Sequence, residues 1–318
     1  MPVVRKPLVV ARTAPVVKRA TASLDIPLPT EPKPKETDIM KYTMLLYGRE
    51  KIGKTTALAS FPGAIFFCTE PGSKGLEIYE YNHEDGGVKN WEIFRSGVRA
   101  LVANPGKFKT VIIDTVDRAY DHCLDWVCEH KGIEYPGQDN AGKEDFGKSW
   151  RAVKQEFMEQ IHALSQAGMG ICLTSHATET EFKTRSGEKF ARIQPSMSGQ
   201  ARKVIEAMVD MFFYCEYMRS PEGANSRVVI CQGDETIWAG ARETVAEDFP
   251  AFLPLQKRDW FEVLQSAFNG TYAGLDPKTL LAAKGTSKTA SEFLGKARTK
   301  AAVGTAAVKT VAKVVKRV

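Results

Sequence analysis

The chain has 318 residues, a formal net charge of +6 and 43% hydrophobic residues, enough to bury the core of an ordinary α/β domain. No stretch approaches 18 consecutive apolar residues, so no transmembrane helix is expected. The six cysteines form no C-x-x-C pair, and the histidines near them match no usual zinc spacing, which disfavours both a disulfide framework and a zinc site.

The positive charge is concentrated at the two ends of the chain. Residues 1–38 contain seven basic residues, four acidic residues and seven prolines, which favour an extended backbone. Residues 271–318 contain ten basic and two acidic residues, whereas the middle of the chain is mildly acidic. We therefore predict a disordered tail at 1–38, one globular domain at 39–269 and a basic low-complexity tail at 270–318. Such tails suit either a polyanion such as nucleic acid or a solubilising role.

The first predicted strand, at 44–47, leads directly into a glycine-rich loop. The sequence GREKIGKT fits the pattern Gly, four residues, Gly-Lys-Thr, which curls backbone N–H groups around a polyphosphate. This pattern predicts binding of a nucleoside triphosphate. Lys54 is expected to reach the β- and γ-phosphates, and the Thr55 hydroxyl to ligate Mg²⁺. The predicted nucleotide contacts are Gly48, Arg49, Glu50, Lys51, Ile52, Gly53, Lys54, Thr55 and Thr56.

Acidic residues follow the next two apolar runs. Residues 64–69 are predicted to form a buried strand, and Glu70 follows it. Glu70 is a candidate general base or orienting group for an attacking water. Alternatively, it is a turn carboxylate before Pro-Gly. Residues 109–114 form a β-branched run that ends in Asp114, the usual place for a carboxylate that serves Mg²⁺. Thr115 follows Asp114, where hexameric AAA+ motors usually place their catalytic Glu. The catalytic role is therefore expected to fall to Glu70.

A further strand at 170–174 ends in Ser175-His176. A polar residue there would point into the nucleotide crevice and sense the γ-phosphate, although His176 could equally cap the strand. The hydrophobic periodicity and the turn-forming residues predict a strand at 209–217 and a hairpin that pairs 227–232 with 235–239. The same signals predict helices at 91–102, 116–131, 149–167, 201–208 and 260–268.

The segment 177–200 interleaves basic and aromatic residues around a Ser-Gly turn. Such a pattern on a loop suits single-stranded nucleic acid, because phosphates and bases are contacted together. A solvated hairpin is the competing interpretation, since three acids are also present. The candidate DNA-binding residues are Lys183, Arg185, Lys189 and Arg192. Later in the chain, Arg242 would reach a phosphate bound by a neighbouring subunit, or else be an ordinary surface arginine.

The order of these elements, with the segments GREKIGKT, FFCTEPG, VIIDTVD, LTSHA, ARIQPSMSGQARK and TIWAGAR, resembles the RecA-like core. Within that group it is similar to the phage-encoded single-domain ATPases classed as single-strand annealing proteins of the Sak group. The resemblance runs from Tyr42 to about Phe268. It implies an α/β P-loop fold with a mainly parallel central sheet flanked by helices, a late β-hairpin and disordered tails.

The resemblance also implies ATP and Mg²⁺ bound between protomers of a ring or filament, and single-stranded DNA as partner. Lys54 and Thr55 would hold phosphate and metal, and Asp114 the water on the metal. Glu70 would position the hydrolytic water, and His176 would couple the nucleotide to the loop that follows. Arg242 would act across the interface.

The leading hypothesis is therefore a DNA-dependent ATPase of phage recombination that promotes annealing or strand exchange in the cytoplasm of a bacterial host. A single-strand binding protein is a possible partner, and no membrane is expected. One alternative is a nucleotide-switched DNA-binding mediator with little turnover, in which Glu70→Gln would be nearly silent. A P-loop kinase is disfavoured because no arginine-dense lid segment is visible, and an AAA+ motor because Thr115 follows Asp114.

Overall fold

The computed structural model describes residues 28–185, 187–219, 225–242, 245, 249–255 and 259–272. Most of both predicted tails, at 1–27 and 273–318, lies outside the described residues, and those predictions stay open. Residues 28–36 are exposed and contain neither helix nor strand. A separate compact unit begins at Thr37.

Strands and helices alternate along most of this unit. The strands are β1 (Thr43–Gly48), β2 (Ala64–Cys68), β3 (Tyr79–Glu80), β4 (Thr110–Asp114), β5 (Gly170–Lys183), β6 (Lys189–Pro195), β7 (Met211–Arg219), β8 (Asn225–Ile230), β9 (Gly240–Ala241) and β10 (Phe252–Pro254). The helices are α1 (Lys54–Leu58), α2 (Trp91–Ala103), α3 (Val116–Lys131), α4 (Lys148–Gln166), α5 (Gly199–Met208) and α6 (Trp260–Phe268). No helix of the described chain is both long and apolar enough to cross a membrane.

The described strands form one sheet in the order β10-β8-β7-β1-β5-β4-β2-β3. The neighbours from β7 to β3 are parallel, and β8 and β10 extend the sheet in antiparallel pairing. Two strands lie off this path, since β6 pairs with β5 and β9 pairs with β7. This arrangement confirms the predicted fold class, a mainly parallel RecA-like P-loop sheet.

Helices cover both faces of the sheet because the strands are apolar on both sides. In β1, Leu45 packs into one buried cluster, whereas Met44 and Leu46 pack into another. The first cluster contains residues of α2, α3, α4 and α5, and the second contains residues of α1 and α6. The central strands are therefore buried between two layers of helix, as parallel strands normally are.

The predicted helices are confirmed, and two of them, 116–131 and 260–268, have the bounds of α3 and α6. The late hairpin is also present, but β8 forms it with β7. Residues 235–239 form no strand, because the Asp234 carboxylate accepts from the backbone N–H groups of Thr236 and Ile237 at 2.7 and 3.1 Å. The predicted pairing of 227–232 with 235–239 is therefore wrong. The Gly-Asp signal marks an Asx turn rather than the link between two strands.

The carboxyl ends of the parallel strands meet at one edge of the sheet. Gly48 at the end of β1 lies opposite His176 in β5, and Cys68 at the end of β2 lies opposite Asp114 in β4. Ligands of open α/β sheets bind at this edge. The fold thus brings four segments that are distant in sequence to one place.

Candidate active site

The phosphate loop joins β1 to α1, and two glycines permit its path. A Cβ atom at Gly48 would lie 2.6 Å from the carbonyl oxygen of Cys215, so only glycine allows the neighbouring strand to approach this closely. Gly53 has a φ of +111°, in the region that favours glycine. Ile52 is fully buried and anchors the loop in the core. The loop is therefore held in a curled form that suits a bound phosphate group.

Lys54 is the first residue of α1, and its ammonium group reaches back across the loop. Its Nζ donates to the carbonyl oxygens of Gly48 and Arg49 at 2.9 and 3.0 Å. Burial lowers the pKa of Lys54, against an opposite effect of nearby groups that include Asp114. An ammonium group buried among neutral carbonyls is stabilised by an anion that compensates for its lost hydration. The position of Lys54 therefore suits a polyphosphate.

Asp114 lies between two hydroxyl groups at the end of β4. Its Oδ2 accepts from the Thr55 hydroxyl at 2.7 Å, and its Oδ1 accepts from the hydroxyl of Thr174, a fully buried residue of β5. Hydroxyl and carboxylate oxygens are ligands that Mg²⁺ prefers. The residues present therefore fit a magnesium ion beside the phosphate loop, and its binding there stays a prediction.

Glu70 lies two residues beyond β2, and both of its carboxylate oxygens are engaged. Oε1 accepts from the Thr115 hydroxyl at 3.0 Å, and Oε2 lies 3.2 Å from His176 Nε2. Thr69 fixes the backbone there, since its hydroxyl donates to the Thr115 carbonyl at 2.8 Å and accepts from the Thr115 N–H at 2.9 Å. Thr115, the residue after Asp114, is thus not acidic, but its hydroxyl positions the carboxylate of Glu70 beyond the neighbouring strand.

These groups face one open cavity of about 700 Å³. Its lining includes Glu50, Lys51, Gly53, Lys54, Thr55, Thr56, Glu70, Asp114, Thr115 and His176. The structure thus brings most of the predicted nucleotide residues together with the predicted catalytic acid. Three predicted contacts do not line the cavity: Gly48 packs against β7, Ile52 points into the core, and Arg49 contributes its carbonyl to Lys54.

Arg242 lies away from this cavity. Its Nε is 2.9 Å from Asp210 Oδ1, and Asp210 also accepts from the backbone N–H of Thr43 at the start of β1. Arg242 is therefore at the amino-terminal edge of the parallel strands, opposite the edge that holds the phosphate loop. Its side chain is 56% exposed. Action on the nucleotide of a neighbouring protomer stays a prediction.

The hairpin formed by β5 and β6 has two faces of different chemistry. Side chains alternate between the faces along each strand, and Lys183 lies opposite Lys189 in the antiparallel register. We call the surface that bears Glu179, Glu181, Lys183 and Lys189 the charged face. Lys189 Nζ lies 2.7 Å from Glu181 Oε1 with both side chains more than 60% exposed. Such an exposed pair contributes little to stability.

The other surface, the aromatic face, bears Phe182, Phe190 and Arg192. Phe182 lies opposite Phe190, with ring centroids 6.0 Å apart and 23° between the ring planes. The Arg192 guanidinium lies 4.4 Å from the centroid of the Phe182 ring. Arg185 lies at the turn, next to a residue outside the described chain. The structure therefore does not bring the four predicted basic residues together on one surface.

Three residues near the cavity escaped the sequence analysis: Thr174, Asp117 and Arg227. Asp117 accepts from the hydroxyls of Ser175 and Ser196 at 3.0 and 2.8 Å, and so ties β5 to the residue that follows β6 at the base of the hairpin. Burial raises the pKa of Asp117. The sequence signal that could have identified Asp117 was its position three residues after Asp114, in the first turn of α3. Arg227 had no such signal, because it is 175 residues from its partner in the loop.

The chain is similar in sequence or in structure to known proteins. A family model described as an AAA domain matches residues 40–243, about two thirds of the chain. The "SPbeta prophage-derived uncharacterized protein YorG" of Bacillus subtilis (strain 168) is 25% identical over 138 residues, which span 42% of this chain and 40% of that relative. Among solved structures, the KaiC-like protein PH0186 from Pyrococcus horikoshii OT3 aligns with 64% of this chain and 83% of that chain. The sequence identity is 12% and the TM-score 0.35.

Proposed function

This chain belongs to the AAA domain family, and we propose that it is an ATP-hydrolysing recombination protein of a phage that binds single-stranded DNA. In this proposal it promotes annealing or strand exchange in the cytoplasm of a bacterial host. The observation that carries the proposal is the placement of Glu70, whose carboxylate is held by Thr115 and His176 at the same cavity as the phosphate loop. A carboxylate so placed serves hydrolysis by water rather than transfer to a second substrate.

The proposed reaction is phosphoryl transfer from ATP to water. Water attacks the γ-phosphorus, the bond to the bridging oxygen breaks, and Glu70 accepts the proton that the water loses. Lys54 stabilises the charge on the phosphate oxygens. Magnesium, held through Thr55 and Asp114, would neutralise part of the same charge. Thr115 and His176 keep the Glu70 carboxylate oriented, so little reorganisation is needed in the transition state.

The proposed DNA site is the β5–β6 hairpin, and its two faces suggest different tasks. The aromatic face presents two near-parallel rings and a guanidinium group, which suit stacking against unpaired bases. The charged face carries acids as well as lysines, so its net attraction for phosphate is small. We therefore assign base contacts to Phe182 and Phe190, phosphate contact to Arg185 at the turn, and an auxiliary role to Lys183 and Lys189.

The nucleotide and DNA sites share β5, which supports coupling between them. His176 contacts Glu70, and the next residues of the same strand continue into the hairpin without interruption. A change in the Glu70 contact on ATP binding would therefore be transmitted to the base of the hairpin. In the same proposal the protein forms a ring or filament, with Arg242 acting on a neighbouring nucleotide, and a single-strand binding protein is a candidate partner.

One observation favours a second candidate, a nucleotide-switched DNA-binding mediator with little turnover. Both oxygens of Glu70 are already engaged by protein groups, and such a carboxylate could report nucleotide binding to His176 without activating water. The two candidates agree on ATP and DNA and differ in turnover.

The test is ATP hydrolysis by the full chain, with and without single-stranded DNA, at one fixed salt concentration. Salt is fixed because contacts between basic side chains and phosphate weaken steeply with ionic strength. We expect turnover that DNA stimulates and that Lys54→Ala reduces by roughly 100-fold or more. Turnover that ignores DNA would exclude the recombination role. Tight ATP-dependent DNA binding with negligible turnover would select the mediator.

A further inference from the structure

Arg227 lies on β8 at the point where the β7–β8 hairpin passes the phosphate loop. In the sheet, Gly48 at the start of the loop lies opposite Cys215, which lies opposite Val229 on β8. Arg227 precedes Val229 by two residues on β8. It lies opposite Tyr217, at a level of the sheet beyond the end of β1. Its partly buried side chain is therefore supplied by a strand that belongs to no nucleotide-binding motif.

The guanidinium group of Arg227 contacts the outer side of the loop directly. Nη1 donates to the carbonyl oxygen of Ile52 at 3.1 Å, and a Cβ atom at Gly53 would lie 2.9 Å from the same nitrogen. A loop that turns its N–H groups toward a phosphate turns carbonyl groups away from it, and those carbonyls need partners. Lys54 partners the carbonyls of Gly48 and Arg49, and Arg227 partners that of Ile52.

Arg227 has no acidic partner among the residues that the structure describes. Among the described residues it forms no ion pair within 4.0 Å, whereas Arg95, Arg118 and Arg242 each do. Arg227 is also not part of the lining of the cavity. Its positive charge therefore lies behind the loop, where it favours an anion on the other side without contacting it.

We propose that Arg227 is a positioning residue for the triphosphate, which acts through the loop by holding the Ile52 carbonyl and by supplying positive charge behind the phosphates. The inference rests on the nucleotide site of the proposed function and is independent of DNA binding. It predicts that Arg227 contributes to nucleotide affinity rather than to the chemical step. The contribution is larger for ATP than for ADP, because ATP carries more negative charge.

The experiment measures the dissociation constants of ATP and ADP by calorimetry on the full chain, together with kcat and KM for ATP. Arg227→Ala removes charge and donor, Arg227→Gln keeps a donor, and Arg227→Lys keeps the charge. Arg99→Ala, at an exposed arginine of α2, is the matched control. Thermal unfolding of each variant establishes that the fold is intact.

We expect Arg227→Ala to weaken ATP binding roughly tenfold and ADP binding less, with kcat at saturating ATP near wild type. Arg227→Lys should recover more of the ATP affinity than Arg227→Gln. ATP affinity within twofold of wild type, an equal loss in Arg99→Ala, or a loss confined to kcat would overturn the inference. If Arg227→Ala does not fold, wild-type affinity in both other variants would overturn it. Failure of the wild-type protein itself to bind ATP would instead overturn the proposed function.

Discussion

The two halves of β5 contrast in burial and in the use of their polar side chains. Residues 170–175 lie in the middle of the parallel sheet and are all buried. Beyond His176 the strand pairs with β6, and its side chains are half-buried on one face and mostly exposed on the other. One continuous strand thus serves both the core of the nucleotide site and an external hairpin.

In the inner half, each buried polar side chain has a defined partner. Thr174 donates to Asp114, and Ser175 donates to Asp117. An unpaired polar group at such a depth would cost about 1–3 kcal/mol, so these residues are constrained by the fold and by the site together. The exposed side chains of the outer half carry no such constraint, because they can hydrogen-bond to water. These positions are therefore free to serve a partner.

The largest effect on ATP turnover is expected from a substitution at Glu70. This residue contacts His176, which lies where the two halves of β5 meet. Glu70→Gln keeps the shape and the hydrogen bonds but cannot accept a proton. Turnover of ATP should fall roughly 100- to 10,000-fold, with ATP affinity near wild type, in steady-state and binding assays. Glu77→Gln, at an exposed glutamate nearby, is the control and should be silent. Turnover within a few-fold of wild type in Glu70→Gln would favour the mediator.

The next largest effect is on DNA binding, and it distinguishes the aromatic face of the β5–β6 hairpin from the charged face. Replacing Phe182 and Phe190 by Ala should weaken binding of a short single-stranded oligonucleotide by about 1–3 kcal/mol for each stacked base. Replacing Lys183 and Lys189 by Ala should have a smaller effect that appears mainly in the salt dependence. Fluorescence anisotropy at two or more salt concentrations measures both quantities. Equal losses in the two double variants would contradict the assignment of bases to the aromatic face.

A smaller effect is expected inside the sheet, at Thr174. Thr174→Val preserves the volume but removes one donor to the Asp114 carboxylate, which then loses part of its orientation. We expect the magnesium concentration needed for half-maximal ATP hydrolysis to rise roughly tenfold, because partners of metal-binding groups tune their affinity. Thr110→Val, at a buried threonine of β4 that contacts Met40, is the control. An unchanged magnesium requirement would show that Thr174 serves packing alone.

The smallest effect concerns Asp117 and depends on pH. Burial raises its pKa, partly opposed by the hydrogen bonds from Ser196 and Ser175, so the folded protein binds this proton more tightly than the unfolded chain. Wild-type stability therefore decreases as pH rises through the raised pKa. Asp117→Asn still accepts from both serines without a charge. Its melting temperature should exceed that of wild type by a few degrees at neutral pH and approach it at acidic pH, and calorimetry at several pH values tests this. A pH-independent difference would contradict it.

Much of the nucleotide site could be predicted from sequence because its signals are local. The phosphate loop is one contiguous motif between a strand and a helix, and Asp114 ends an apolar run. Glu70 was predictable because strand ends in a parallel sheet converge on one edge. The same argument placed His176 at that edge, although its contact with Glu70 required the structure.

Side chains brought together by pairing of distant strands were not predictable in this way. Arg227 was missed because residues 227–232 were predicted to pair with 235–239, whereas pairing of β8 with β7 is what carries Arg227 to the loop. The separation of Lys183 from Arg192 likewise follows from strand register, since a shift of one residue would exchange the two faces.

The sequence by itself thus determined the fold class, the phosphate loop and the acids at the ends of β2 and β4. Each of these depends on residues adjacent in the chain and on the general geometry of parallel sheets. Only the tertiary structure decided which hydroxyls orient Asp114 and Glu70, which cation supports the outer side of the loop, and which hairpin residues share a face. The first two arrangements depend on contacts between residues tens to nearly two hundred positions apart, such as Arg227 and Ile52, and the third depends on the register of β5 with β6. Local propensity and hydrophobic pattern do not specify such contacts.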